Sequence, residues 1–327
     1  MIVIAEVGLV HNGSLSKAFK LIDIATEVGA DAVKFQTHIA ESETLVNAPN
    51  PKYFKKESRF DYFKRTSFKL NEWKKIREYT RKKKIRFFSS PFSIEAVDLL
   101  KKINIDAFKI ASGEITNHPL LKKINSTGKE TFLSSGMSNW SEISQAIKLL
   151  PKIKKKTLMQ CTTMYPCKLD KVGLNIINQM KKKFKIPIGF SDHTKGITAS
   201  IIAVTLGVKA IEKHLTISNK MYGSDAFFSL EPKKFKQMVN MIKETIQIIK
   251  NPVDKNNIKE FKNMKIVFEK SIVLSKDMYK EQKIKYEDLN FKKPGIGIRP
   301  DDIKNVIGKV LKRNLKKDSI LNYKDFK

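Results

Sequence analysis

The chain has 327 residues, 41% of them hydrophobic and 30% charged, which suits a soluble globular protein with a large core. Two cysteines, Cys161 and Cys167, exclude a disulfide-stapled secreted scaffold, and 14 Gly with 11 Pro exclude a fibrous or low-complexity one. The net charge is +31, but only 20 basic against 11 acidic residues lie from Asn251 onward, so no segment concentrates charge as a nucleic-acid module should. A Lys-decorated solvated surface is the simpler reading, although its field would draw in anionic substrates. Met1 to Glu6 has no basic n-region, and the longest apolar stretch, 201–208, is far short of the ~20 residues that span a bilayer. The expectation is a protein of the reducing cytoplasm that binds neither membrane nor nucleic acid.

Ile2–Ala5 predicts a first strand, and Ser16–Val28 a helix that Gly29 stops. Ala32–Phe35 predicts the second strand. The long connection from Thr37 to about Leu70 interleaves Tyr53, Phe54, Phe60, Tyr62, Phe63 and Phe68 with basic residues. Such a segment can stack on bases, but an active-site lid or subunit contact is the commoner use. Further strands are expected at Arg86–Ser89, Ala107–Ile110, Thr131–Leu133, Thr157–Met159, Ile186–Gly189 and Ala210–Glu212. They read as apolar runs without strict alternation, as strands buried on both faces do. Helices are expected at Ile94–Lys102, Trp140–Leu150, Asn175–Phe184, Thr198–Leu206 and Pro232–Ile249, the last with Pro at its first turn. Eight strands, each followed by a helix, over about 250 residues predict an α/β fold, a (β/α)8 TIM barrel. A doubly wound sheet is the runner-up, but no strand is followed by GxGxxG. Residues 1–250 are thus the catalytic barrel and 251–268, opened by Pro252, a linker. Residues 269–327 form a small second domain containing Pro294-Gly-Ile-Gly-Ile-Arg299.

The rim after the strands carries the active site in such barrels. Here it offers Glu6 with His11 and Asn12; Lys34, Gln36 and Thr37; Ser89 and Ser90; Lys109, Ser112 and Glu114; and Ser134 and Ser135. It continues with Gln160, Thr162, Thr163 and Tyr165, then Ser191, Asp192 and His193, then Lys213 and His214. Polar residues at all eight strand ends point to a functional rim more strongly than any one does. Lys34, Lys109, Ser112, Ser134 and Ser191 could hold a phosphate and a carboxylate, since lysines bring point charges and serines short donors. A lysine among 64 basic residues is more often solvated, but Lys34 and Lys109 sit inside strand ends. His193 and His214 follow neighbouring strands and could share one borderline divalent ion. A lone strand-end His is more often just hydrogen-bonded. Glu6 and Glu114 are candidates for a third ligand or for acid–base work.

Several motifs together resemble the sialic acid synthase (N-acetylneuraminate synthase) family over nearly the full length. They are Ile4-Ala-Glu-Val-Gly-Leu-Val-His-Asn-Gly13, Gly29-Ala-Asp-Ala-Val-Lys-Phe-Gln-Thr37, Phe108-Lys-Ile-Ala-Ser-Gly-Glu114, Leu133-Ser-Ser-Gly-Met137, Gln160-Cys-Thr-Thr-Met-Tyr-Pro166, Gly189-Phe-Ser-Asp-His-Thr194, Ile211-Glu-Lys-His214 and Met221-Tyr-Gly-Ser-Asp225. The tail resembles the family's antifreeze-like (SAF) domain. The resemblance implies a metal-dependent transferase that condenses phosphoenolpyruvate with an N-acetylated amino sugar, giving a nonulosonic acid and phosphate. N-acetylmannosamine is the favoured sugar, with a 2,4-diacetamido-trideoxy hexose (legionaminic or pseudaminic acid synthesis) as the alternative. By the same resemblance His193 and His214 ligate the metal, Mn2+ first with Mg2+ or Co2+ as alternatives. Lys34, Lys109, Ser112, Ser134 and Ser191 hold phosphoenolpyruvate, with Thr163 at the substrate pocket. Glu6, Gln36, Tyr165 and Asp225 contact the sugar, and Glu114 is the acid–base carboxylate. A domain-swapped homodimer is implied, in which Arg299 of one subunit reaches the rim of the other. Val10 and Thr163 stand where the family often has Asn, and Ala226-Phe-Phe-Ser229 is more apolar than the usual run. Phe227 and Phe228 suit either a 6-deoxy sugar or loop packing. A charge-driven nucleic-acid binder and an ice- or partner-binding tail are the readings from other classes.

Overall fold

The computed structural model describes residues 1–50, 57–223 and 225–327. Tyr53, Phe54 and Ser224, named above, lie outside the described residues. The chain divides into two compact units, Met1–Asn251 and Pro252–Lys327.

The first unit is a closed barrel of eight parallel strands: β1 (Ile2–Gly8), β2 (Ala32–Thr37), β3 (Arg86–Pro91), β4 (Ala107–Ile110), β5 (Glu130–Ser134), β6 (Lys156–Gln160), β7 (Ile188–Asp192) and β8 (Ala210–His214), with β8 pairing back to β1. Most of these strands run past the C-terminal ends expected from the apolar runs. Glu6, Gln36, Ser134, Ser191 and His214 read as loop residues because they are polar, yet they extend the strands. The outer ring holds α1 (Leu15–Glu27), α2 (Ala40–Glu43), α3 (Arg59–Thr66), α4 (Leu70–Lys82), α5 (Ile94–Lys102), α6 (His118–Thr127), α7 (Trp140–Lys148), α8 (Ile177–Phe184), α9 (Thr198–Thr205) and α10 (Pro232–Lys250). Their starts follow local chemistry. Ser14 caps α1, Asn117 caps α6, and Asn139 with Glu142 makes a reciprocal cap on α7. Between sheet and helices, Arg77 of α4 grips Asp106 with two bonds of 2.7 and 2.6 Å, and Asp106 also accepts from the Phe87 N–H.

The β2–α4 connection holds α2 and α3, and three of its described aromatics pack against neighbours. Tyr62 and Phe68 are buried, and Phe63 stacks on His38. These rings serve packing, so they do not form a free stacking platform.

In the second unit β9 (Ser271–Leu274) pairs antiparallel with β10 (Leu289–Lys292) over its own core of Ile272, Leu274, Met278, Ile284, Leu311 and Leu321. The expected linker is partly helical: α11 (Lys262–Phe268) lies in it. Among the described residues no helix is long and apolar enough to cross a membrane.

The bottom of the barrel interior is an apolar plug of Ile4, Ala32, Phe88, Ala107, Phe132, Met159 and Ala210. Gly189 of β7 lets the plug close. A Cβ there would overlap Met159 Sδ and lie 3.0 Å from both the Cβ and the carbonyl oxygen of Ala210. Gly189→Ala is therefore expected to destabilise the barrel by about 1–3 kcal/mol, from overpacking. A chemical denaturation midpoint equal to that of the native protein would show that the plug has room to spare.

Candidate active site

Side chains alternate along a strand, so the residue two positions beyond each plug residue shares its inward face. Above the apolar plug this rule stacks a polar layer: Glu6, Lys34, Ser90, Lys109, Ser134, Cys161, Ser191 and Glu212. All are buried. Register makes neighbours of them, pairing Glu6 with Lys34 and with His214, and Ser191 with Glu212.

Four of them form a neutral quartet of buried charges. Lys34 Nζ lies 2.6 Å from Glu6 Oε2 and 3.9 Å from Glu212 Oε1, and donates to Ser90 Oγ at 3.2 Å. Lys109 Nζ and Ser191 Oγ both donate to Glu212 Oε1, each at 3.0 Å. The two carboxylates respond differently. Burial pushes Glu6 up to about 7; Lys34 opposes this, and the Glu212 charge adds to it. Burial also penalises Glu212, but Lys109, Lys34 and Ser191 outweigh it and hold this carboxyl at about 2. Sequence reasoning gives Glu212 no role in the site, since it reads as the last residue of an apolar strand. The available signal is its place two residues before His214, on an inward face that already holds two lysines.

Above the quartet stand two imidazoles, His193 and His214, with ring centroids 5.7 Å apart. His193 Nδ1 lies 2.8 Å from the Thr162 carbonyl oxygen and must donate to it, so Nε2 keeps its lone pair. Burial lowers the pKa of His193 to about 4 and that of His214 well below the ordinary value, so both rings are neutral. His214 Nδ1 is buried without a hydrogen-bond partner among the described residues and lies 3.9 Å from Asp225 Oδ2. Among the described residues no three His, Cys, Asp or Glu side chains gather as a metal cage. Two neutral imidazoles with available lone pairs fit an open site, its remaining positions filled by water and substrate oxygens.

Tyr165 lies against His193 with centroids 4.3 Å apart, and Phe228 packs 4.8 Å from His214 and 5.3 Å from Tyr165. Phe228 is thus buried wall, whereas Phe227 is exposed. Across the rim, a Cβ on Gly136 would overlap both Ser112 Oγ and Thr163 Oγ1, so only glycine lets these hydroxyls approach. Ser112 Oγ and the Gly136 N–H both meet Cys161 Sγ, at 3.3 and 3.2 Å. Gln36 donates from Nε2 to Glu6 Oε1 at 2.9 Å. Glu114 accepts from Asn117 at 2.8 Å, and its carboxyl is raised by burial and by the nearby Glu43. It sits on the His38–Glu43 side of the rim, apart from the quartet's bonds. Arg299 belongs to the second unit, where it is exposed and pairs with Asp301 at 2.8 Å.

Removing one member of a buried ion pair costs about 3–5 kcal/mol because its partner is stranded. Lys109→Met should therefore lower stability by about that much. Adding Glu212→Gln to it should restore most of the loss while activity stays abolished. Additive losses measured by denaturation would mean that Lys109 and Glu212 do not depend on each other.

Residues 21–254 match the NeuB family model, and residues 269–327 match the SAF domain. The chain is 38% identical over 329 residues to N,N'-diacetyllegionaminic acid synthase of Campylobacter jejuni, covering 98% of each chain. It is 30% identical to pseudaminic acid synthase of Helicobacter pylori, covering 99% of this chain and 97% of that one. Among solved structures it is similar to the N-acetylneuraminic acid synthetase of Leptospira borgpetersenii, with a TM-score of 0.71 and 32% identity, over 80% of this chain and 90% of that one. The chain belongs to the NeuB family and carries a C-terminal SAF domain.

Proposed function

We propose that the protein condenses phosphoenolpyruvate with the open-chain aldehyde of an N-acetylated amino sugar, giving a nonulosonic acid and inorganic phosphate. The observation that carries this reading is the quartet with its two lysines, set between a shelf of hydroxyls and a pair of neutral imidazoles. Lys34 and Lys109 are held extended by Glu6 and Glu212 and meet the carboxylate and phosphate of phosphoenolpyruvate. Ser112, Ser134 and Thr163 supply short donors to the same anion, and Ser191, which donates to Glu212 in the resting site, turns its hydroxyl to the anion on binding. Gln36, Glu6, Tyr165 and Asp225 face the sugar. A divalent ion, Mn2+ first, would be held by His193 Nε2 and His214 and supplies Lewis acidity toward the aldehyde oxygen.

The enol π electrons of phosphoenolpyruvate form the bond from its methylene carbon to the aldehyde carbon, the aldehyde C=O π bond breaks, and its oxygen takes a proton from Glu114. Water adds to the electron-poor former enol carbon and returns a proton to Glu114, whose carboxyl burial and Glu43 raise above its ordinary value. The tetrahedral intermediate then breaks its carbon–oxygen bond to phosphate as the hydroxyl forms the ketone, and its proton leaves with the phosphate. Fixed lysines and the pairing of two substrates in one barrel mouth lower the barrier by positioning and charge stabilisation.

For the sugar, a 2,4-diacetamido-trideoxy hexose takes precedence over N-acetylmannosamine. Two things support it: the 38% identity to a relative named for legionaminic acid synthesis, and the Phe228 wall beside His214 and Tyr165. The working form is a domain-swapped homodimer in which Arg299 serves the partner's barrel. Ile258, Phe261, Met264, Val267 and Phe268 stand exposed along the second unit's first segment, and an association between copies would cover them.

Phosphate release from phosphoenolpyruvate with Mn2+ tests the reaction. EDTA-sensitive release is expected, with kcat/KM for the diacetamido sugar roughly 10–200-fold above that for N-acetylmannosamine. No release with either sugar from folded, metal-loaded protein would sink the condensation reading. In light scattering a dimer mass is expected for the native chain, and a shift toward monomer for Phe261→Asp with Phe268→Asp; a monomeric native chain rules out the swap.

A further inference from the structure

One side chain close to the site is fixed more tightly than packing alone requires. His38 follows β2, and its ring lies between two phenyl rings, Phe63 of α3 and Phe92 after β3. The centroids are 4.0 and 4.2 Å away, and the planes tilt by only 8° and 10°. In the ring's own plane, Nδ1 is 2.6 Å from Glu43 Oε1 at the end of α2. Nε2 is 3.2 Å from Gln36 Oε1. Stacking fixes the plane of the ring, and Glu43 fixes its rotation within that plane. His38 itself makes no bond to the quartet, to the hydroxyl shelf or to either rim imidazole.

The bond to Gln36 gives the arrangement a use. A primary amide is nearly symmetric in shape, so its partners decide which end points where. Gln36 Nε2 donates to Glu6 Oε1 at 2.9 Å, while the other Glu6 oxygen is taken by Lys34 at 2.6 Å. Were the amide reversed, its oxygen would face a carboxylate oxygen. Two protons on the His38–Glu43 pair, one in the Nδ1–Glu43 bond and one on Nε2, give His38 an N–H aimed at Gln36 Oε1, and that donor selects the productive orientation.

We propose that His38, anchored by Glu43, is a positioning residue that orients the Gln36 amide and thereby sets sugar recognition. The inference rests on the reading of Gln36 and Glu6 as sugar-facing groups. Loss of the His38 donor leaves the phosphoenolpyruvate site intact and lets the amide turn over, so the sugar loses a directed N–H.

The test is a double-mutant cycle on the full chain with His38→Phe, Gln36→Ala and both together. His38→Phe keeps a flat ring between Phe63 and Phe92 and removes the donor. The expected result is a loss of roughly 10-fold in kcat/KM for the sugar, the size of one directed hydrogen bond, with KM for phosphoenolpyruvate within about twofold of native. In the Gln36→Ala background the same change should cost less than about twofold, because residues that act through one another are not additive. Losses that simply multiply, or an equal loss toward phosphoenolpyruvate, would overturn the proposal and leave His38 as packing. Should His38→Phe fail to fold, Glu43→Gln runs the same cycle with the same expectation. Calorimetric sugar binding reads the cycle without turnover. Native protein that binds the sugar but releases no phosphate overturns the condensation reading and leaves this one to the binding cycle. Native protein that binds no amino sugar overturns both.

Discussion

Four charges buried in the barrel, Glu6, Lys34, Glu212 and Lys109, set the terms for everything around them. Each isolated ion would cost several kcal/mol to desolvate, so none is tolerable without the others. The quartet is neutral, and hydroxyls complete it: Ser90 accepts from Lys34, and Ser191 donates to Glu212. The apolar plug beneath keeps water out from below, so the field of these ions is directed toward the rim. There it meets two imidazoles that burial keeps neutral. The carboxylates hold the lysines in place before an anionic substrate arrives. The ordering of two flexible ammonium groups is thus complete in the resting fold, and less of it is left to the moment of binding.

This arrangement divides the pH dependence of stability between two carboxylates of opposite sign. Glu212 is held at about 2, below its ordinary 4.5, so its contribution is present above 4.5 and is lost as pH falls toward 2. Glu6 is pushed up to about 7, so its protonated form is the stabilised one; that contribution is full below 4.5 and lost as pH rises through 7. Near neutral pH the fold therefore carries the cost of ionising Glu6. Strain of this kind collects at functional sites, where the surrounding barrel holds it in place.

The barrel is legible in the sequence because its outer layer obeys simple rules. Ile94–Lys102 and Ala107–Ile110 match their expected bounds to the residue, since apolar spacing and flanking polar residues agree there. The strand ends do not. A polar residue after an apolar run reads as the start of a loop, yet in a functional barrel polar side chains continue the strand and point inward. Glu6, Gln36, Ser191 and His214 therefore read as site residues and still as residues outside the strands. Glu212 shows the reverse: it reads as strand, and its carboxylate goes unnoticed. His38 is invisible for another reason: its partners Glu43, Phe63 and Phe92 come from three separate elements, and sequence spacing does not bring them together. Residues 262–268 read as linker because their apolar residues lack a polar face to mark a helix, and they stand largely exposed within the second unit.

The three departures from the family pattern occupy physically different places. Val10 is buried in the main core among apolar neighbours, its N–H bonded to the Val7 carbonyl, so an apolar side chain there is a matter of packing. Thr163 stands exposed beside Gly136 and Ser112, where its Oγ1 leaves no room for a Cβ at position 136. Phe228 closes one side of the space beside His214 and Tyr165 with an aromatic edge. A hydroxyl presented to that edge would give up water without gaining a partner, whereas a methyl group would lose nothing. Phe228 thus brings an apolar edge to a rim whose charged layer is already paired with itself.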